Sequence, residues 1–377
     1  MRPFRLLCDE SGTAATRPAA PVIRKVLAIA IANMSANADI GGARLQPLRG
    51  GRSAAGVYKA TLLSNSGLEA RTPLVVVKVT SAADCAVEHH NHQAFASLLP
   101  SAYRPTLLGV ATRGRLGALC LSYFGDRSQP ARTLTDDLQA GDIAPLDLFC
   151  GSTVLALREH WYEATTTRRL HGLGQRYLEH YFGTLEAAIH AEAILEQYGA
   201  AYLAIERTGS GYRHGSAKFP NLVSLLFGRA DRSAFTSCIV HGDLNSDNVM
   251  TLPHLGVAAL IDFQKTGRGH LFEDLVAIET SIRINYRPEI IPREMLDRER
   301  HIVAGHPAAR HDAYASAIAT VQRAARSLGD LEEWPTYHFA VAAIGLRLML
   351  ATDLSIAAKA RIAASTFWSA LMVERHV

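Results

Sequence analysis

Lysine is scarce in this chain of 377 residues: of 39 basic residues only six are Lys, so the positive charge is carried by Arg. Cysteine is scarce too. Cys8, Cys85, Cys120, Cys150 and Cys238 are odd in number, widely scattered and without CxxC spacing. That pattern excludes a disulfide framework or a zinc ribbon and fits a reducing cytoplasm. No apolar run is long enough for a bilayer. The two most apolar stretches, Val26–Met34 and Ala340–Ala351, are too short, and the second contains Arg347. The first residues, with Asp9 and Glu10 close behind Cys8, contain no apolar core of signal-peptide length. A formal charge of +4 with dispersed Arg gives no basic stripe, so neither nucleic acid nor a membrane surface is expected as a partner. Internal repeats and low-complexity linkers are also missing.

What is present is enough apolar material, 48% of residues against 20% charged, to fold most of a chain too long for one compact core. The texture changes along it. Residues 1–21 read as a loose tail and 22–36 as a helix. Glycines 50, 51 and 56 precede the β-rich run Val57–Leu63, and a polar turn leads to a second run, Pro73–Val79, so the two read as an antiparallel pair. A helix is expected over Ala83–Leu99, ended by Pro100, and a strand over Ala118–Tyr123. Beyond Asp126 the pattern is mostly helical, with Leu185, Ile189 and Ala193 at helical spacing. Short strands are expected at Ser237–Val240 and Val257–Phe263. The expected class is α+β: a tail and helix (1–38), a small β-rich lobe (39–125) and a larger helical lobe (126–377).

The sharpest local signal is Ile239-Val240-His241-Gly242-Asp243-Leu244-Asn245-Ser246-Asp247-Asn248, followed by Ile261-Asp262-Phe263. Phosphoryl transfer needs an anionic group beside the attacking hydroxyl and oxygen ligands for a divalent ion on the polyphosphate. A loop after one strand can present Asp243 to a hydroxyl. The same loop can turn Asn248 to a metal, and the next strand can deliver Asp262 to it. HGDLNSDN followed by IDF resembles the catalytic and metal loops of the aminoglycoside phosphotransferase and choline kinase superfamily, within the protein-kinase-like fold.

The resemblance implies a bilobal kinase-like fold, ATP and Mg2+ as cofactors, and transfer of the γ-phosphoryl group to a hydroxyl acceptor. It implies Asp243 as the catalytic base and Asn248 and Asp262 as metal ligands. His241 and Asp274 are implied as structural support of the loop. Upstream, Gly50, Gly51 and Ser53 in LRGGRSAAG resemble the phosphate-covering loop of the same superfamily. Lys78 in VVVKV is an ammonium in an apolar strand, which needs an anion; nucleotide phosphates and a helix carboxylate supply it. Glu88 is the expected partner, with Asp84 as its competitor. Leu121 and Tyr123 fall where adenine is held in that fold.

LRGGRSAAG, VVVKV, HGDLNSDNVM and IDFQKTGRGHLFEDL together look most similar to the ternary-complex-associated kinase-like domains of bacterial conflict systems. The short interval from Asp262 to Asp274, with no APE-like anchor, departs from protein kinases, which use a longer segment there to receive a peptide. That leaves a small-molecule acceptor or an atypical protein target. The acceptor is expected between the catalytic loop and the helical region 134–230; there Glu159, His160, Trp161, Tyr162, Glu163, Arg168, Arg169 and His171 could line a polar pocket, but read better as a solvated helix surface. Two other readings compete. A metal hydrolase would use His89, His90 and His92 with Glu88, but HExxH spacing is missing. A pseudokinase-type module would bind nucleotide and serve as a partner-binding component of a multi-protein system, but Lys78, Asp243, Asn248 and Asp262 form an intact set.

Overall fold

The computed structural model describes residues 5–8, 25–26, 28–31, 40–48, 56–64, 74–125, 132–169, 171–228, 234–286, 292–306 and 312–376. The chain divides into two compact units. One comprises 1–132 with 247–266, and the other 133–246 with 267–377.

The first unit is built on six strands: β1 (Arg5–Cys8), β2 (Ile40–Pro47), β3 (Gly56–Ser64), β4 (Val75–Ser81), β5 (Leu107–Arg113) and β6 (Leu116–Ser122). They lie in the order β1-β2-β3-β4-β6-β5. The antiparallel pair expected from Val57–Leu63 and Pro73–Val79 is β3–β4, with Val57 opposite Lys78. The sequence reading took residues 1–21 for a tail, yet Arg5–Cys8 is a strand, parallel to β2. The edge of β2 otherwise exposes a row of backbone N–H and C=O groups, and pairing with even four residues satisfies them. One face of the sheet, with Ala43, Leu45, Ala60, Val75, Val77 and Cys120, buries Val26, Ala30 and Ile31 of the helical turn that precedes β2.

The helix Ala82–Ala94 follows β4 directly. Ser81 caps it by accepting from the Asp84 N–H. It ends before Leu99, and a short 3-10 turn, Ala96–Leu98, takes its place before Pro100. The helix lies unusually close to β6. A Cβ on Gly117 would fall 2.2 Å from Cys85 Cβ, so only glycine fits there. The remaining part of this unit is a hairpin, Val249–Leu252 against Val257–Leu260, with Val249 opposite Leu260.

The second unit is mostly helical. Trp334–Leu348 and Ile356–Glu374 are almost wholly buried on their mutual and inward faces. The helix Glu273–Asn285, with ten buried residues, packs beside them. Its far half is fixed by charge: Arg283 Nη1 meets Glu279 Oε1 at 2.6 Å and Nη2 meets Glu299 Oε2 at 2.9 Å, all three buried. A three-stranded sheet sets Phe235–Val240 between Gly267–His270 and Thr167–Arg169. On the helix Leu185–Tyr202, Leu185 and Ile189 face outward, 43% and 52% exposed. The buried face is instead Ala188, Ala191, Glu192, Leu195 and Gly199. Small side chains let this helix approach Phe367 closely, so the larger aliphatics are left on the outside.

Candidate active site

In the β-rich unit the geometry centres on Lys78. Its ammonium is 7% exposed at the middle of β4. Nζ lies 2.8 Å from Glu88 Oε2 and 2.8 Å from Asp262 Oδ1. Burial alone would drive Lys78 towards neutrality, but the two carboxylates outweigh it and raise its pKa above the ordinary value. Glu88 is 2% exposed, and burial pushes its carboxyl up, only partly offset by the ammonium. Asp84, the competing carboxylate, is engaged elsewhere: it receives Ser81 Oγ at 2.6 Å and Gln264 Nε2 at 2.8 Å.

Asp262 follows the hairpin strand Val257–Leu260, and its side chain is 30% exposed. Its backbone is left-handed, φ 64 and ψ 70. Among the described residues only Ala204 shares a positive φ without being glycine. Such a conformation is a local strain that surrounding bonds must hold. They do so from both sides. The Ile261 N–H donates to the Asn248 carbonyl at 3.0 Å, extending the hairpin by one pair. After Asp262, Asn91 Nδ2 donates to the carbonyls of Phe263 (3.1 Å) and Gln264 (2.8 Å). Asn248 and Asp262 therefore fall within one residue of each other in register, where two antiparallel strands end. Asn248 is itself 9% exposed.

Asn91 and Gln264 lie outside the motifs that mark the site in the sequence. A buried polar residue three positions after Glu88 on one helix is the signal that marks Asn91 in retrospect. His92 packs edge-on against Phe263 at 5.4 Å, and burial lowers its pKa to about 4. With His89 and His90 it forms no metal set: among the described residues no group of three His, Cys, Asp or Glu is arranged to hold an ion.

Leu121 is buried in β6, between Val76 of β4 and Leu107 of β5. The Tyr123 N–H donates to the Leu74 carbonyl at 3.1 Å, and the Ser122 N–H to the Thr106 carbonyl at 2.9 Å. Those two donors are spent within the sheet. The Tyr123 ring carries Lys59 Nζ over its face at 4.8 Å. Gly50, Gly51 and Ser53 lie outside the described residues; the strands flanking them are closed by Leu48 N–H to the Val57 carbonyl at 2.9 Å.

In the helical unit the strand Phe235–Val240 leads into His241-Gly242-Asp243. Gly242 turns the chain with φ 76, where a side chain would be strained. The Asp274 carboxylate, 1% exposed, accepts from the His241 N–H at 2.8 Å and the Gly242 N–H at 3.1 Å. The Tyr162 hydroxyl stands 3.4 Å from the same carboxylate. Burial raises the Asp274 pKa to about 7 despite those donors, which favour the charged form. The loop beyond Asp243 is held by the same helix. The Ser246 N–H donates to Ser281 Oγ at 3.1 Å, and Asn285 Nδ2 to Ser246 Oγ at 3.0 Å. Asp274, Ser281 and Asn285 recur at helical spacing, so a single face grips the loop at its start and end. Trp161 and Tyr162, in the stretch that reads as a solvated helix surface, are instead fully buried core residues.

A family model described as the phosphotransferase enzyme family (APH) matches residues 46–311, well over half of the chain. The chain belongs to this family. Its β-sheet unit and helical unit give this phosphotransferase the kinase-like α+β fold expected of the family. No curated protein matches the chain. Among solved structures it is similar to aminoglycoside phosphotransferase APH(4)-Ia in a ternary complex with AMP-PNP and hygromycin B, at 12% identity and TM-score 0.44, covering 86% of this chain and 93% of that one. It is similar to the amicoumacin kinase hAmiN in complex with AMP-PNP, Ca2+ and Ami, at 12% identity and TM-score 0.39, covering 88% of each chain. A Plasmodium vivax ethanolamine kinase is similar at 10% identity and TM-score 0.39, covering 86% of this chain and 82% of that one.

Proposed function

We propose that this family member transfers the γ-phosphoryl group of ATP to a hydroxyl acceptor, either a small molecule or an atypical protein target. The observation that carries the reading is the buried Glu88–Lys78–Asp262 set, with Nζ 2.8 Å from each carboxylate. An ammonium is rarely buried among apolar strands without an anion to meet, and a phosphotransferase has polyphosphate as that anion. In this reading Glu88 orients Lys78 towards the nucleotide phosphates. The loop containing Gly50, Gly51 and Ser53 covers them, and Leu121 and Tyr123 border adenine through their side chains.

Asn248 and Asp262 would hold a magnesium ion. One amide and one carboxylate oxygen suit a hard cation that leaves most of its positions to phosphates and water. Bound there, the ion would neutralise charge on the phosphoryl group during transfer. Asp243 takes the proton from the attacking hydroxyl. Asp274 holds the His241 and Gly242 N–H groups and so fixes the turn from which Asp243 projects. The motifs LRGGRSAAG, HGDLNSDN and IDFQKTGRGH support a place among the ternary-complex-associated kinase-like domains of bacterial conflict systems, and with it a cytoplasmic setting and protein partners.

The test is magnesium-dependent turnover of labelled ATP by the purified chain, screened against metabolites and against protein partners from the same genome. Labelled product dependent on Asp243 is the expected result. Thermal stabilisation by ATP and magnesium with no transfer to any acceptor would overturn catalysis and leave a nucleotide-binding module.

A further inference from the structure

A second constellation lies on the helical unit, away from the loop that contains Asp243. In the sheet centred on Phe235–Val240, Arg169 stands opposite Phe235 and Arg268 opposite Ile239. Cross-strand partners share a face and alternate residues exchange faces, so Arg169, Ser237 and Arg268 emerge on one side. Arg176 joins them from the helix Leu173–Tyr177. With His180 and Phe235 they line an open depression of about 410 Å³. Sites for small molecules span about 300–1,000 Å³.

Its charge is poorly balanced by the protein. Arg268 Nη1 meets only neutral oxygens: the Thr165 carbonyl at 2.5 Å, the Thr167 hydroxyl at 3.4 Å and the Ser237 carbonyl at 3.4 Å. Arg176 gives Nη2 to Glu273 at 2.8 Å, while its buried Nε has no acceptor. Arg169 is exposed and makes no side-chain hydrogen bond or ion pair among the described residues. Glu179 is the one carboxylate lining the depression, and it accepts from Gln175 Nε2. Three guanidinium groups thus converge against two carboxylates, Glu179 at the lining and Glu273 paired with Arg176. A solvated surface would account for Arg169, but not for the orphaned Nε of Arg176 beneath it.

We propose that this depression binds a small phosphate monoester. The planar donors of several arginines match the oxygens of a phosphate dianion, and Phe235 offers an apolar surface to the organic part. His241, Gly242 and Asp243 are not among the residues lining the depression, so the ligand would not occupy the position of the transferred group. It would lie against the Arg176–Glu273 pair, next in sequence to Asp274.

The test is titration calorimetry of the full chain at low salt with inorganic phosphate and with glycerol 3-phosphate. We expect saturable binding of the ester, tighter than that of inorganic phosphate, and weakened at least tenfold in Arg169→Ala and in Arg268→Gln. Arg169 is exposed and unpartnered, so its alanine variant should unfold at the wild-type urea midpoint. Saturating ATP with magnesium should leave the ester affinity unchanged, which separates this site from the nucleotide phosphates. No saturable binding at millimolar ester, wild-type affinity in Arg169→Ala, displacement of the ester by ATP with magnesium, or a preference for inorganic phosphate would each overturn the assignment.

Discussion

Replacing Lys78 with Met should destabilise the protein in a way that depends on pH. The substitution keeps an unbranched side chain in β4 but removes the ammonium that both carboxylates face. Asp262, 30% exposed, can turn to water. Glu88, 2% exposed, cannot, and so must either stay charged without a partner or take a proton. Taking a proton sets a ceiling on the penalty. Keeping a carboxyl of ordinary pKa about 4.3 neutral at pH 7 costs about 3.7 kcal/mol, at about 1.4 kcal/mol per pH unit. The wild-type Glu88 pKa is already raised by burial, so the difference between the two proteins falls below that ceiling. At pH 5 the ceiling drops to about 1 kcal/mol. Urea unfolding followed by circular dichroism, with wild type and variant compared at each pH, measures this. Adding Glu88→Gln should recover most of the loss, to within about 1 kcal/mol of wild type, because no buried charge is left. A loss that is the same at pH 5 and pH 7, or one that Glu88→Gln deepens, would refute the claim that Glu88 depends on Lys78.

Asp243→Ala should reduce transfer by at least about a thousandfold while leaving ATP affinity within about threefold, because the residue acts on the acceptor; equilibrium binding beside single-turnover kinetics separates the two. Asp262→Ala should abolish the magnesium dependence of nucleotide binding, read by titrating nucleotide with and without the ion. Asp274 has a pKa raised to about 7. Below that pH its carboxyl is protonated and holds the His241 and Gly242 N–H groups less well, so transfer should rise with pH through about 7. In Asp274→Asn that limb should disappear and kcat should fall about 10–100-fold with KM for ATP little changed. A pH profile unchanged by the substitution would rule out Asp274 as its source.

The parts of the fold legible in the sequence are those in which local chemistry and tertiary fate agree. VVVKV reads as a strand because it is rich in β-branched residues, with Val75, Val77 and Val79 buried on one face of β4 and Val76 half-buried on the other, and its one Lys stands out against them. HGDLNSDN and IDF are legible because their spacing is that of a loop and the next strand. Other parts were hidden. Ile40–Pro47 contains two glycines and ends on proline, so nothing local marks β2; its strand character comes from pairing with β3. Val249–Leu252 begins directly after Asn248 and was masked by the motif before it. Leu185, Ile189 and Ala193 at helical spacing mark their helix but not its inward face: small residues make the close contact, and Leu185 and Ile189 stay outside. The left-handed backbone of Asp262 and the bonds from Asn91 are set by residues more than 170 positions apart, beyond the reach of any local pattern.

Those two bonds have a mechanical consequence. Many kinases are silenced when the helix bearing the lysine's carboxylate partner swings outward and breaks the ion pair. In this chain Asn91, one turn beyond Glu88, grips the backbone just past Asp262, and Gln264 reaches back to Asp84 near the helix start. The helix cannot rotate away without also pulling on the strained residue that precedes Phe263. An inactive posture of that kind would require three hydrogen bonds and an ion pair to be given up together, so any control of this protein should act on the arrival of its substrates rather than by unlatching this helix.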